Sequence, residues 1–174
     1  MRAIVWLLLL AAALLLANAA AARAQPNFPA LTGRIVDEAN LLSADDKRAL
    51  EQDLKALEEK STDQLVVYTT RSLQGYPIED FGYRLGRHWQ IGQQGKNNGV
   101  ILIVAPTDRK VRIEVGHGLE GTITDALSSR VIRNVLVPAF RTGDYATGIQ
   151  RAICLLYTSP SPRDISGSRM PSSA

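Results

Sequence analysis

Cysteine occurs once in the 174 residues, at position 154, and histidine only at positions 88 and 117. A single thiol excludes an internal disulfide and a thiolate-based zinc site. With no Cys-x5-Arg loop, it also excludes the cysteine-phosphatase mechanism. Neither His88 nor His117 has a recognisable Ser or Asp arrangement beside it, and no H-x-x-x-H pair or Walker loop occurs. No strong nucleophile–base pair is therefore legible. Charge of one sign is also scarce. Residues 25–153 hold 16 basic and 16 acidic residues, so the surplus of the whole chain, +3, comes from its ends. That surplus gives no argument for nucleic acid, which requires basic residues gathered on one face.

One long apolar run stands at the N-terminus. It extends from Ala3 to Ala17 behind Arg2, and small residues follow it up to Ala22-Arg23-Ala24. The run is short for a membrane span, and its flanks match a secretory signal cleaved before Gln25. An exported protein of the periplasm or cell envelope is expected. Residues 154–174 switch to Ser, Pro and Gly, a composition that predicts disorder, and this stretch resembles a translated sequencing adapter more than a native end. The folded domain is expected over residues 25–153, a length suited to a single core.

Inside that domain, "LLSADDKRALEQDLKALEEKS" opens on Ser43 with Asp46 three residues on, a capping-box-like start. Leu50, Leu54 and Leu57 then share one helical face, while Lys47, Glu51, Lys55 and Glu59 predict a wet, internally paired opposite face. "QLVVYTT" reads as a buried strand. Pro77 and the acids Glu79 and Asp80 start a second helix, with Gly92 as its stop. "GVILIVAP" predicts a central strand and "KVRIEV" an alternating one. Only Thr107, Asp108 and Arg109 separate these two strands, too few for a helical crossover, so they are expected to form an antiparallel hairpin. A helix capped by Thr124 should run to Pro138, and another should cover Tyr145 to Ile153.

The spacing Gly116, Gly118, Gly121 matches the dinucleotide fingerprint G-x-G-x-x-G. That fingerprint belongs to the first turn of a parallel β-α-β unit, and here it leaves an antiparallel strand with no acidic strand end about twenty residues on. The glycines instead predict a tight loop from an edge strand into a helix, and no nucleotide is expected. Three loops offer oxygen ligands: Asp37, Glu38 and Asn40; Asn97 and Asn98; and Glu120, Thr124 and Asp125. Carboxylates and amides without thiols suit a hard cation such as Ca²⁺ or Mg²⁺. Each also has a plain structural use, in turns or at a helix start.

"VDEANLLS", "KNNGVILIVAPTDRKVRIEVGHGLEGTITD" and "LVPAFRTGDYATGI" together resemble the TPM domain family of thylakoid lumen, photosystem repair and exported bacterial proteins. The resemblance spans nearly all of residues 30–150. It implies an α/β fold, a three-layer α/β/α sandwich around a small mixed sheet. It also implies a divalent cation, Ca²⁺ ahead of Mg²⁺, with Asp37, Asn97, Asn98, Glu120 and Asp125 as the matching ligand positions. Many bacterial members continue into a membrane tether, and members act either as accessory proteins of membrane complexes or as acid phosphatases. Two readings follow: an envelope module that binds a cation and a membrane-protein partner, or a metal-dependent phosphomonoester hydrolase in which Glu120 or Asp125 orients the attacking water. The lack of a nucleophile–base pair favours the module.

Overall fold

Alternating apolar positions on two adjacent strands build the layers in the computed structural model, which describes residues 25–158. Strand β1 (Ile35–Asp37) pairs in parallel with β2 (Gln64–Thr69), and β2 pairs in parallel with β3 (Gly99–Ala105). β3 then pairs antiparallel with β4 (Lys110–Val115), from Val100 opposite Val115 to Ala105 opposite Lys110, which is the hairpin the short connection demands. The sheet is mixed, in the order β1-β2-β3-β4.

Period-two alternation sends Leu65, Val67, Val100, Leu102 and Val104 to one face, where they meet Leu50 and Leu54 of α1 (Ala44–Ser61) and Ile149 and Ala152 of α5 (Tyr145–Thr158). The other face carries Val66, Tyr68, Ile101 and Ile103 against Phe81, Leu85 and Trp89 of α2 (Ile78–Trp89). Central strands buried on both faces account for the unbroken apolar runs in β2 and β3. The result is the expected three-layer α/β/α sandwich.

The capping box at α1 is present: Asp46 N–H donates to Ser43 Oγ at 3.1 Å, and Ser43 N–H donates to the Asp46 carboxylate at 3.2 Å. The charged face of α1 differs from its expected internal pairing. Only Lys55 and Glu59 approach along that face, at 3.9 Å, and both are exposed, so the pair contributes little. Lys47 reaches Asp37 instead, and Glu51 and Glu58 both hold Arg34. β1 and the residue before it bring opposite charges within reach of these side chains, which the helical repeat alone cannot reveal.

Four helix boundaries also shift. Pro77 is the N-cap of α2, outside its first turn, and that helix ends at Gln90 in a left-handed conformation, two residues before Gly92. Pro138 does not stop its helix. α3 (Asp125–Val131) widens into a π-turn over Ile132–Leu136 and continues as α4 (Val137–Arg141). In the π-turn Val137 N–H bonds back to Ile132 O, five residues away, and this wider repeat accommodates a proline that has no N–H to give. Lastly, α5 runs to Thr158, beyond the expected Ile153, with Leu156 only 1 % exposed in the first core. Leu156→Ala should therefore cost about 2–4 kcal/mol in urea denaturation, and an unchanged midpoint would show that the last turn does not pack. The signal-like residues 1–24 and the Ser/Pro-rich residues from 159 onward lie outside the described residues. Among those described, no helix is long and apolar enough to cross a membrane.

Candidate functional site

The strand register decides which of the predicted ligands can meet. Asp37 lies beside Thr69, and Thr69 beside Val104, at the C-terminal end of the parallel strands. Asn98 precedes Gly99, which pairs with Gln64 at their N-terminal end. Six residues of β3 at about 3.3 Å each separate the two ends, roughly 20 Å. Asp37 and the Asn97-Asn98 turn therefore do not share a site.

Asp37 is committed to the fold. Its side chain is 2 % exposed, and it accepts the N–H groups of Leu41 at 3.0 Å and Leu42 at 3.2 Å, the Thr69 hydroxyl at 2.5 Å and the Lys47 ammonium at 2.8 Å. Burial by itself pushes this carboxyl up, but the four donors together outweigh it and hold the group below the ordinary carboxylate range. Asn98 is likewise internal, 4 % exposed. Its carbonyl oxygen accepts from Gln93 N–H at 2.8 Å, and its amide nitrogen donates to Thr62 O at 2.8 Å and Asp63 at 3.2 Å, tying the loop before β3 to the one before β2. Asp125 is exposed at the first position of α3, behind the Thr124 cap, where a negative charge complements the helix dipole.

Asn97 and Glu120 are the two predicted residues that do come together. Both line a cleft of about 680 Å³ between the end of α2, the loop after it, β4 and the turn after β4. The glycines shape this cleft. A Cβ on Gly116 would stand 2.2 Å from Asn97 O, and one on Gly118 would stand 1.9 Å from Lys96 O. Their bare backbones let the turn at 116–120 lie directly on the turn at 96–97, with Gly118 N–H donating to Asn97 O at 3.1 Å. The room beside these two glycines is thus taken by protein carbonyls.

Three other residues of the cleft were not singled out from the sequence. Glu114 projects from β4 toward α2 and accepts from Arg112 at 2.6 Å. Gly82 of α2 leaves space for it, since a Cβ there would be 3.1 Å from the Glu114 carboxylate. Tyr83, 54 % exposed, carries the Arg87 guanidinium 5.6 Å from its ring centre, and Arg87 also donates to the Tyr83 hydroxyl at 2.8 Å. Two glycines one turn apart, Gly82 and Gly86, in an otherwise amphipathic helix were the available signal of close approach.

In the cleft, the Glu120 carboxylate accepts or shares a proton with His117 Nδ1 at 2.6 Å, both groups being exposed. Among the described residues no three His, Cys, Asp or Glu side chains gather as a ligand set. Asn97 and Glu120 would offer oxygen donors of the type a hard cation takes, and water would have to supply the remaining positions. A site with so little carboxylate charge belongs to the weak class, with Kd roughly 10⁻⁴–10⁻³ M.

Similarity to known proteins agrees with this architecture. No curated protein matches the chain. Among solved structures, the N-terminal domain of a protein from P. gingivalis is similar at 34% identity and a TM-score of 0.65, covering 79% of this chain and 84% of that one. The N-terminal domain of the cg2496 protein from Corynebacterium glutamicum shares the fold at 19% identity and a TM-score of 0.55, with 86% and 87% covered. The BA42 protein from Bizionia argentinensis does so at 18% and 0.59, with 66% and 78% covered. The model of the TPM domain matches residues 35–158, from the first strand to the end of the last helix, and the chain belongs to the TPM domain family.

Proposed function

We propose that the chain is an exported envelope module that takes a divalent cation, calcium ahead of magnesium, in the cleft beside the glycine turn, and holds a membrane-protein partner on the same face. The observation that carries this reading is that Asn97 and Glu120 line one cleft, whose rim presents the Tyr83–Arg87 pair. Oxygen donors suit a hard cation, and an exposed tyrosine braced by arginine is the kind of anchor that protein interfaces favour. Export and the membrane partner rest on the signal-like N-terminus and on the family resemblance.

At 10 mM calcium and a Kd near 1 mM, binding to the folded state alone adds about 1.4 kcal/mol, a rise of roughly 3–6 °C in Tm. Glu120→Gln should lose most of that rise while melting normally without the ion, because Glu120 is exposed. An equal calcium shift in wild type and variant would contradict the assignment.

The 2.6 Å His117–Glu120 contact favours a second reading, metal-dependent hydrolysis of phosphomonoesters. In it, Glu120 oriented by His117 would take the proton of the attacking water. Calcium-dependent release of p-nitrophenol from its phosphate, lost in Glu120→Gln, would select this reading over the module.

A further inference from the structure

A second cavity, of about 460 Å³, lies at the other end of the sheet, between the β3–β4 turn and helices α4 and α5. Its walls include Pro106, Phe140 and Tyr145, with the two rings 4.8 Å apart, and its cations are Arg109, Lys110 and Arg141. Among the described residues no acidic side chain lines it. The carboxylates adjacent in sequence are engaged elsewhere: Asp108 accepts from Leu73 N–H at 3.0 Å, and Asp144 from Thr147 N–H at 3.3 Å. Among the described residues Arg109, Lys110 and Arg141 form no ion pair, and what sets them apart from other unpaired cations of the surface is that all three line one hollow.

Arg109 stands in the hairpin turn itself. It occupies the left-handed region at φ 53°, where Asn or Gly would sit at less cost, so the hairpin turn carries a long cation at a position that disfavours one. Thr62, Gln74 and Gln90 adopt the same region in other turns, and what distinguishes Arg109 is the cavity it lines. Arginine forks match the two oxygens of a carboxylate or phosphate, and the aromatic wall accepts an apolar body.

We infer that this cavity binds a small amphipathic organic anion, its oxyanion head held by Arg109, Lys110 and Arg141 and its apolar body seated against Phe140, Tyr145 and Pro106. The site is separate from the cleft of the proposed function, and either can stand without the other.

The test is titration of the whole chain with phenylphosphonate, followed by calorimetry and by amide chemical shifts. Expected shifts fall on residues 105–111 and 137–145. Inorganic phosphate, a head without a body, should bind at least tenfold more weakly, as should benzyl alcohol, a body without a head. The Arg109→Asn/Arg141→Gln double variant should keep its Tm, since asparagine tolerates the left-handed turn and Arg141 is exposed, yet bind phenylphosphonate at least tenfold more weakly. Arg141→Gln alone, on an exposed helix end, provides the same comparison should the turn variant unfold. Undetectable binding at 10 mM, equal affinity in the folded variant, equal affinity for inorganic phosphate, or shifts confined to residues 93–97 and 116–120 would each overturn the inference.

Discussion

Asp37→Ala should lower the unfolding free energy by about 3–4 kcal/mol and the Tm by roughly 10 °C or more. The substitution removes a carboxylate whose side chain is 2 % exposed and strands the donors that converge on it. Leu41 N–H and Leu42 N–H would lose their acceptor at the entry to α1, the Thr69 hydroxyl would lose its bond across the β1–β2 pair, and Lys47 would lose its partner. Unpaired buried donors cost more than the bonds themselves contribute, although the half-exposed Lys47 can turn to water and lessens the total. The pH dependence has a definite sign. The folded-state pKa of Asp37 lies below its ordinary value, so its contribution is fully present above about pH 4, the unfolded value, and is lost as pH falls through the folded value. Asp37→Asn should therefore be less stable than wild type at pH 7, with the gap closing below pH 4. Thermal melts of both proteins from pH 7 to pH 2 measure this, and a gap that persists at low pH would show that Asp37 does not act through its charge.

Gly118→Ala should cost about 2–3 kcal/mol and disorder the wall of the cleft. The reason is contact, since Gly118 is not among the glycines with positive φ. Its Cβ would meet the Lys96 carbonyl oxygen at 1.9 Å, a backbone atom that cannot swing aside as a side-chain tip can, so one of the two turns must move. Gly33→Ala supplies the comparison. Its Cβ would meet only the flexible end of Glu51, at 4.0 Å, and stability should stay within about 0.5 kcal/mol of wild type. Denaturation midpoints of the two variants, with amide spectra of residues 93–97 and 116–120, test the idea. A silent Gly118→Ala would mean that the turns are not pressed together.

How much of this could be read in advance differs by element. The capping box of α1 and the β3–β4 hairpin were legible because each is decided within a few residues: Ser43 with Asp46, and a connection too short for a crossover. β1 was not recognised, since three residues are too few for a period to show and its pairing with β2 is set by tertiary contact. Pro138 suggested a helix end because the π-turn that accommodates it leaves no local signature. For the site, oxygen-bearing residues were found, but sorting them needed the register. Asp37, Asn97 and Asn98 look alike as loop polar residues, yet one braces the loop ahead of α1 at the far end of the sheet, one is exposed in the cleft, and one is an internal tie between loops. Glu114 was hidden in the alternation of β4, where it falls on the charged face with Lys110 and Arg112. Gly116 and Gly118 stood out for their spacing and predicted a tight loop, and the structure shows that their contribution is the missing Cβ.

The two ends of the sheet divide the work: Asp37 holds the fold at one end, and Asn97 and Glu120 line the cleft proposed for the cation at the other. The most direct measurement is a calcium titration of the isotopically labelled chain, read residue by residue from amide and side-chain shifts. Saturating shifts at Asn97, His117 and Glu120, with Leu41 and Leu42 unmoved, are the expected result. Saturating shifts at Asp37, Leu41 and Leu42 with the cleft silent would contradict the account.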